Sequence, residues 1–116
     1  VVATTDFYHH GVAYGTPDDK LMPISGEAER LSRVSIQGGL NCFERENYSD
    51  YSSFSRLSIS DGNDVGQVLM YLKGPLKAHI LANRLIDTSS SYRNDPVPSW
   101  IAISLIELMT MKPNEL

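Results

Sequence analysis

Residues 61–87, DGNDVGQVLMYLKGPLKAHILANRLID, contain the only strong helical pattern in the sequence. Four apolar residues follow the spacing i, i+3, i+4, i+7, which places side chains on one face of a helix: Val65, Val68, Leu69 and Leu72. Gly74-Pro75 ends the pattern, because glycine suits the left-handed helix end and proline lacks an N–H donor. We therefore predict an amphipathic helix over about 64–73, with the apolar stripe facing the core.

Two apolar segments follow this helix. Residues 79–86 fit a strand, although a kinked helix that continues to Leu85 is the alternative, because Leu76, Ile80 and Leu81 also have helical spacing. Residues 87–99 are a polar loop with two prolines. Residues 100–108, WIAISLIEL, predict a strand, and their near-continuous apolarity indicates that both of its faces are covered.

The first half of the chain predicts short strands and loops. Residues 29–37 alternate, with Val34 and Ile36 on one face, and Gly38-Gly39 is a hairpin signal that leads into a returning strand over 40–46. The polar and aromatic residues 47–55 predict a loop, and 56–60 another short strand. Residues 1–5 could form an edge strand, and the remainder of 1–28 is irregular, with a turn at 16–19.

These elements predict an α+β domain: a small, mostly antiparallel β-sheet or an OB-like barrel with one main amphipathic helix. A chain of 116 residues supports one hydrophobic core, so residues 1–116 are expected to form a single domain. Within it we expect an irregular N-terminal segment over 1–28 and a frayed tail over 110–116.

Composition limits the classes of function. The 41% hydrophobic and 21% charged content predicts a soluble globular protein, and a net charge of -4 argues against a nucleic-acid partner. No apolar run reaches the roughly 18 residues that cross a bilayer, so we predict no membrane insertion. Cys42 is the only cysteine, which excludes an intrachain disulfide and mildly favours a reducing compartment. The localisation is otherwise left open.

The sequence offers few candidates for catalysis or metal binding. His9-His10 with Asp6 could ligate a metal, but adjacent histidines of a strand point apart, so we interpret them as partly exposed residues of a flexible segment. Cys42 and His79 could form a nucleophilic dyad, although a cysteine on a buried strand is inert. Common nucleotide, hydrolase and zinc motifs are absent. We predict no catalytic residue, no metal and no cofactor.

Two polar segments rich in tyrosine and serine suggest binding. Residues 47–55, NYSDYSSFS, and 87–95, DTSSSYRND, combine flat aromatic side chains with adaptable hydrogen-bonding groups, a chemistry that suits sugar rings and protein surfaces. Tyr48, Tyr51 and Tyr92 are the candidate contact residues. The alternative is that serine, asparagine and aspartate are simply the residues of turns.

The order of elements from Asp64 onward resembles the oligosaccharide-binding-fold B subunits of bacterial AB-type toxins. The segment 98–104, PSWIAIS, is similar to that family's closing strand, which carries a proline followed by alanine, isoleucine and serine. The resemblance covers less than half of the chain, and such subunits usually carry a disulfide, which one cysteine cannot form. It implies a secreted, ring-forming pentamer that binds cell-surface glycans, with Tyr92, Arg93 and Asn94 in the binding loop.

Taken together, these features favour a non-enzymatic binding domain that recognises a glycan or a protein surface through its Tyr/Ser-rich loops and forms a homo-oligomer. The first alternative is a structural or assembly protein, such as a phage or secretion-system component, that packs against copies of itself. The second alternative is a small enzyme that uses Cys42 or His79.

Overall fold

The computed structural model describes residues 5–88 and 96–111, and these form an α+β fold. Three α-helices and a three-stranded antiparallel sheet account for the regular structure of the described residues, together with short 3-10 turns. In chain order the elements are β1 (Tyr8–His10), 3-10 turns at Val12–Tyr14 and Asp18–Lys20, α1 (Gly26–Asn41), a 3-10 turn at Cys42–Arg45, α2 (Tyr48–Leu57), α3 (Asn63–Lys73), β2 (Leu76–Asp87) and β3 (Trp100–Thr110).

The sheet has the strand order β1-β3-β2. β2 and β3 form one long hairpin whose register runs from Leu76 opposite Thr110 to Asp87 opposite Trp100, with an irregularity between Ile80 and Ala82. The strands predicted over 79–86 and 100–108 are confirmed, and the kinked-helix alternative is wrong. The sheet does not close into a barrel.

The strand predicted over 29–37 is wrong, because these residues belong to the 16-residue helix α1. The Ser25 hydroxyl caps this helix by accepting a hydrogen bond from the Ala28 N–H at 3.1 Å. Its buried face includes a residue at every fourth position: Ala28, Ser32, Ile36 and Leu40. Because one of these residues is a serine, the apolar residues alone do not show the helical period. Val34, which the alternation placed inside, is 59% exposed.

The predicted hairpin at Gly38-Gly39 is also wrong, because both glycines lie inside α1. A Cβ atom at Gly38 would lie 2.5 Å from Cε1 of Phe54. The two glycines therefore open a slot in α1 for the aromatic residues of α2. The returning strand predicted over 40–46 is replaced by the end of α1 and the 3-10 turn Cys42–Arg45.

The loop predicted over 47–55 and the strand predicted over 56–60 are wrong, because α2 covers most of both. The Asn47 side chain caps α2 by accepting a hydrogen bond from the Asp50 N–H at 3.1 Å. Tyr51 and Ser55, four residues apart, form its buried face.

The helix predicted over 64–73 is confirmed as α3, and it ends at Gly74 with a positive φ of 71°. Its buried face is not the predicted stripe, however. Gly66, Leu69 and Met70 are buried, whereas Val68 and Leu72 are exposed. The part of α3 that contacts the core is narrower than the predicted stripe, because Gly66 brings the helix close to α2.

The core lies between the three helices and the inner face of the hairpin. A buried polar chain joins these layers: the Asn83 amide of β2 donates to the Ser32 hydroxyl at 3.0 Å, and the Ser104 hydroxyl of β3 donates to Asn83 at 2.7 Å. In the described part of the chain no helix combines the length and apolarity that a bilayer crossing needs. The edge strand predicted over 1–5 and the tail 110–116 lie largely outside the described residues.

Two glycine substitutions test the close packing of α2 on α3. In Gly66→Ala the new Cβ would lie 2.1 Å from Cζ of the buried Tyr51 ring, and we expect the free energy of unfolding to fall by about 1–3 kcal/mol. Gly26→Ala is the matched control, because nothing lies within 4 Å of a Cβ there. It should leave stability unchanged or raise it by up to about 1 kcal/mol. Urea unfolding measures both, and equal stabilities would contradict the packing described.

Candidate functional site

The tyrosines of 47–55 lie on helix α2 and face in different directions. Tyr48, in the first turn, is exposed, whereas Tyr51 is 2% exposed and its hydroxyl donates to the Gly62 carbonyl at 2.5 Å. Burial raises the pKa of Tyr51 to about 12. The Tyr51 side chain is therefore part of the core and inaccessible to a partner.

The other predicted contact residues, Tyr92, Arg93 and Asn94, lie outside the described residues. The structure thus places one predicted contact residue, Tyr48, on a described surface. Of the two segments predicted to be Tyr/Ser-rich binding loops, residues 47–55 are mostly helical. The prediction that loops form the binding face therefore concerns the 87–95 segment alone.

The cysteine and histidine of the enzyme alternative occupy separate environments. Cys42 is partly buried after α1 and its thiol contacts the Gly38 carbonyl at 3.5 Å, whereas His79 is exposed on β2 opposite Glu107. No hydrogen bond joins the two side chains in the described part of the chain. Burial, followed by the negative charge of Asp50, raises the pKa of Cys42, which is the opposite of what an activated nucleophile needs.

A mainly apolar groove with a volume of about 830 Å³ runs beside β3. Among the described residues, β1 pairs with β3 from Trp100 to Ala102, and the groove lies beside the residues of β3 that follow. Residues of β3 form one wall, residues of the helical layer form another, and the segment before β1 completes the lining together with Asp61: Ile103–Leu108 without Glu107; Leu40, Phe43, Val65 and Leu69; and Thr5, Asp6 and Phe7.

The outer face of the β2–β3 hairpin is also apolar. Four of its large side chains are 41–62% exposed: Leu81, Ile86, Ile103 and Leu105. The exposed Arg84 lies opposite Ile103 in the register, and Leu81 lies at the irregularity of β2. The prediction that both faces of β3 are covered is therefore wrong for the chain by itself. Beyond Ala102 the free edge of β3 pairs with no other described residues. This edge, the groove and the four exposed side chains together are called the β3 edge surface.

A cluster of one histidine and two aspartates lies at the end of the groove. Nε2 of His9 is 3.7 Å from Oδ2 of Asp6 and 3.6 Å from Oδ2 of Asp61. The three ligand atoms lie within 4.8 Å of one another, a spacing at which they could hold a metal ion. Tyr14 packs its ring against His9 at a centroid distance of 4.6 Å.

The interpretation of His9 and His10 as partly exposed residues of a flexible segment is wrong, because both are buried on β1. They point apart, as strand geometry requires. His10 stacks on Trp100 and accepts a hydrogen bond from the Met22 N–H at 2.9 Å. Burial lowers the pKa of His10, which favours the neutral ring that can accept this bond.

The sequence places two of the three residues of this cluster near each other, but not the third. Asp6 and His9 are close in sequence, but Asp61 joins them because its N–H donates to the Asp6 carbonyl at 2.9 Å, across 55 residues of chain. No local pattern predicts that contact.

Comparison with known proteins identifies no relative: no family model, no curated protein and no solved structure matches the chain. The resemblance to toxin B subunits therefore stays a prediction.

Thiol labelling tests the environment of Cys42. Because its pKa is raised, less thiolate is present at neutral pH, and we expect the native protein to react with an aromatic disulfide reagent more slowly than free cysteine. The same chain unfolded in urea supplies the unprotected rate. A native rate equal to the unfolded one would contradict the environment described and would favour the enzyme alternative.

Proposed function

We propose that the chain is a non-enzymatic binding and assembly domain that pairs with a second copy of itself along the free edge of β3. The observation that carries the proposal is the β3 edge surface, in which a strand edge without a partner among residues 5–88 and 96–111 lies beside exposed apolar side chains. An unpaired edge presents a row of N–H and C=O groups that accept another strand. The exposed side chains supply the apolar contact that such pairing needs.

A second copy suits this edge because β3 can pair with itself about a two-fold axis, and a two-fold interface uses the same patch on both subunits. Antiparallel pairing of two β3 strands would extend each sheet through the interface and would continue the hairpin direction already present. The apolar side chains of both outer faces, Ile103 and Leu105 among them, would then form one shared layer.

The surface also favours a protein over a glycan as the partner. Seven of the thirteen residues that line the groove are aliphatic, and the others are Phe7, Phe43, Thr5, Ser104, Asp6 and Asp61. A lining with this share of aliphatic side chains suits apolar contact with a protein better than the aromatic platforms and convergent polar groups of a glycan site. Glycan recognition through Tyr92, Arg93 and Asn94, with the toxin-like ring that it implies, stays a prediction. Loss of a glycan-array signal in Tyr92→Ala would support it.

The oligomeric mass tests the proposal. Light scattering on the eluting protein should give twice the 12.9 kDa of one chain. Leu105→Lys places a charge in the middle of the β3 edge surface, and we expect it to weaken the dimer by about 2 kcal/mol, as for a central interface residue.

Val34→Lys is the matched control, because Val34 on α1 is 59% exposed and Leu105 is 62% exposed. This variant should keep the mass of the wild type. A monomeric wild type at high concentration, or equal dissociation of the two variants, would overturn the proposal.

A further inference from the structure

We propose that Asp6, His9 and Asp61 form a binding site for a divalent transition-metal ion of the zinc type. The site does not depend on self-association of the chain. It joins the N-terminal segment that leads into β1 to the segment between α2 and α3.

The spacing of the three side chains fits one ion. Bonds of about 2.0–2.2 Å at tetrahedral angles separate neighbouring ligand atoms by roughly 3.3–3.6 Å. Nε2 of His9 lies 3.7 Å from Oδ2 of Asp6 and 3.6 Å from Oδ2 of Asp61. All three ligand atoms lie within 4.8 Å of one another.

The tautomer of His9 is fixed by a backbone carbonyl. Nδ1 of His9 lies 2.5 Å from the Ile59 carbonyl oxygen, and because a carbonyl can only accept, Nδ1 carries the proton. The neutral ring then directs the Nε2 lone pair between the two carboxylates. Metal-binding histidines commonly have this arrangement, in which the second ring nitrogen donates to a carbonyl or a carboxylate.

The two carboxylates favour a metal cation beside His9. The His9 side chain is 8% exposed, and Nε2 makes no hydrogen bond within the described residues. A metal ion between Nε2 and the two carboxylates would accept the lone pair of this buried nitrogen and offset both negative charges.

The backbone holds the ligands in place before any ion binds. The His9 N–H donates to the Ser58 carbonyl at 3.1 Å, and the Asp61 N–H donates to the Asp6 carbonyl at 2.9 Å. The two carboxylates are open to solvent, with side-chain exposures of 48% for Asp6 and 73% for Asp61, so an ion can enter.

The donor set selects the class of metal. One imidazole nitrogen with two carboxylates suits zinc and its neighbours, whereas calcium and magnesium prefer six or more oxygen ligands or several waters. Three protein ligands leave at least one coordination position open. The cluster borders a cavity of about 440 Å³, lined also by Tyr14, Thr88 and Ile101, toward which that position would face.

Calorimetric titration of the metal-free full chain with zinc chloride tests the proposal, with the visible spectrum of bound Co²⁺ as a second readout. We expect one ion per chain. Asp61→Asn, an isosteric change at an exposed side chain, should weaken zinc binding at least tenfold, because even partners of metal ligands have effects of 10–100-fold.

Two variants serve as controls. Asp64→Asn removes the same charge from an exposed position of α3, and His79→Gln removes an exposed histidine of β2, so both should bind zinc as the wild type does. Failure of the wild type to bind zinc more tightly than about 100 µM would overturn the proposal. So would equal affinities of Asp61→Asn and Asp64→Asn, or loss of binding in His79→Gln.

Discussion

The packing of one aromatic ring, Tyr51, determines how the three helices lie relative to one another. The ring fits against Gly66 of α3 so closely that a Cβ atom there would be 2.1 Å from Cζ, and it lies against Gly39 of α1 on another side. Its hydroxyl donates to the Gly62 carbonyl at 2.5 Å, which satisfies a polar group that would otherwise be costly to bury. A single side chain thus positions both neighbouring helices and the segment that precedes α3.

This packing also restricts the position of the cluster formed by Asp6, His9 and Asp61, although Tyr51 does not contact that cluster. The Gly62 carbonyl is fixed by Tyr51, and the adjacent Asp61 N–H is fixed by Asp6, so the turn before α3 has little freedom. Within that turn Ile59 adopts a φ of 50°, a conformation that β-branched residues rarely adopt. The strain is compensated by the bond from His9 to its carbonyl. The core therefore holds the cluster in a geometry that an isolated loop would not keep.

The fold could be predicted from sequence where local pattern and packing agree. The helix over 64–73 ends at a clear Gly-Pro break, and the two C-terminal strands carry β-branched residues between prolines and polar loops. The helices of the first half could not be predicted, because their sequences are not typical of helices. Ser32 occupies a core position, and Gly38-Gly39, which is a hairpin signal, lies inside a helix and makes room for Phe54. These residues are explained only by contacts with elements far along the chain. The same is true of the site, since the link between Asp6 and Asp61 is set by the tertiary fold.

The proposed self-association and the proposed metal site both depend on one feature of the sheet, which is that β1 is much shorter than β3. Helices cover its inner face, and in the described part of the chain β1 pairs with the first three residues of β3. Where β1 is present, its residues meet the turn before α3 and bring His9 to the carboxylates. Where β1 is absent, the edge and outer face of β3 remain apolar and unpaired within the described residues. A layer of sheet with one bare apolar face is normally covered by a second layer. The short β1 strand thus brings His9 to the carboxylates at one end of β3, and in the described part of the chain the rest of this edge has no paired strand.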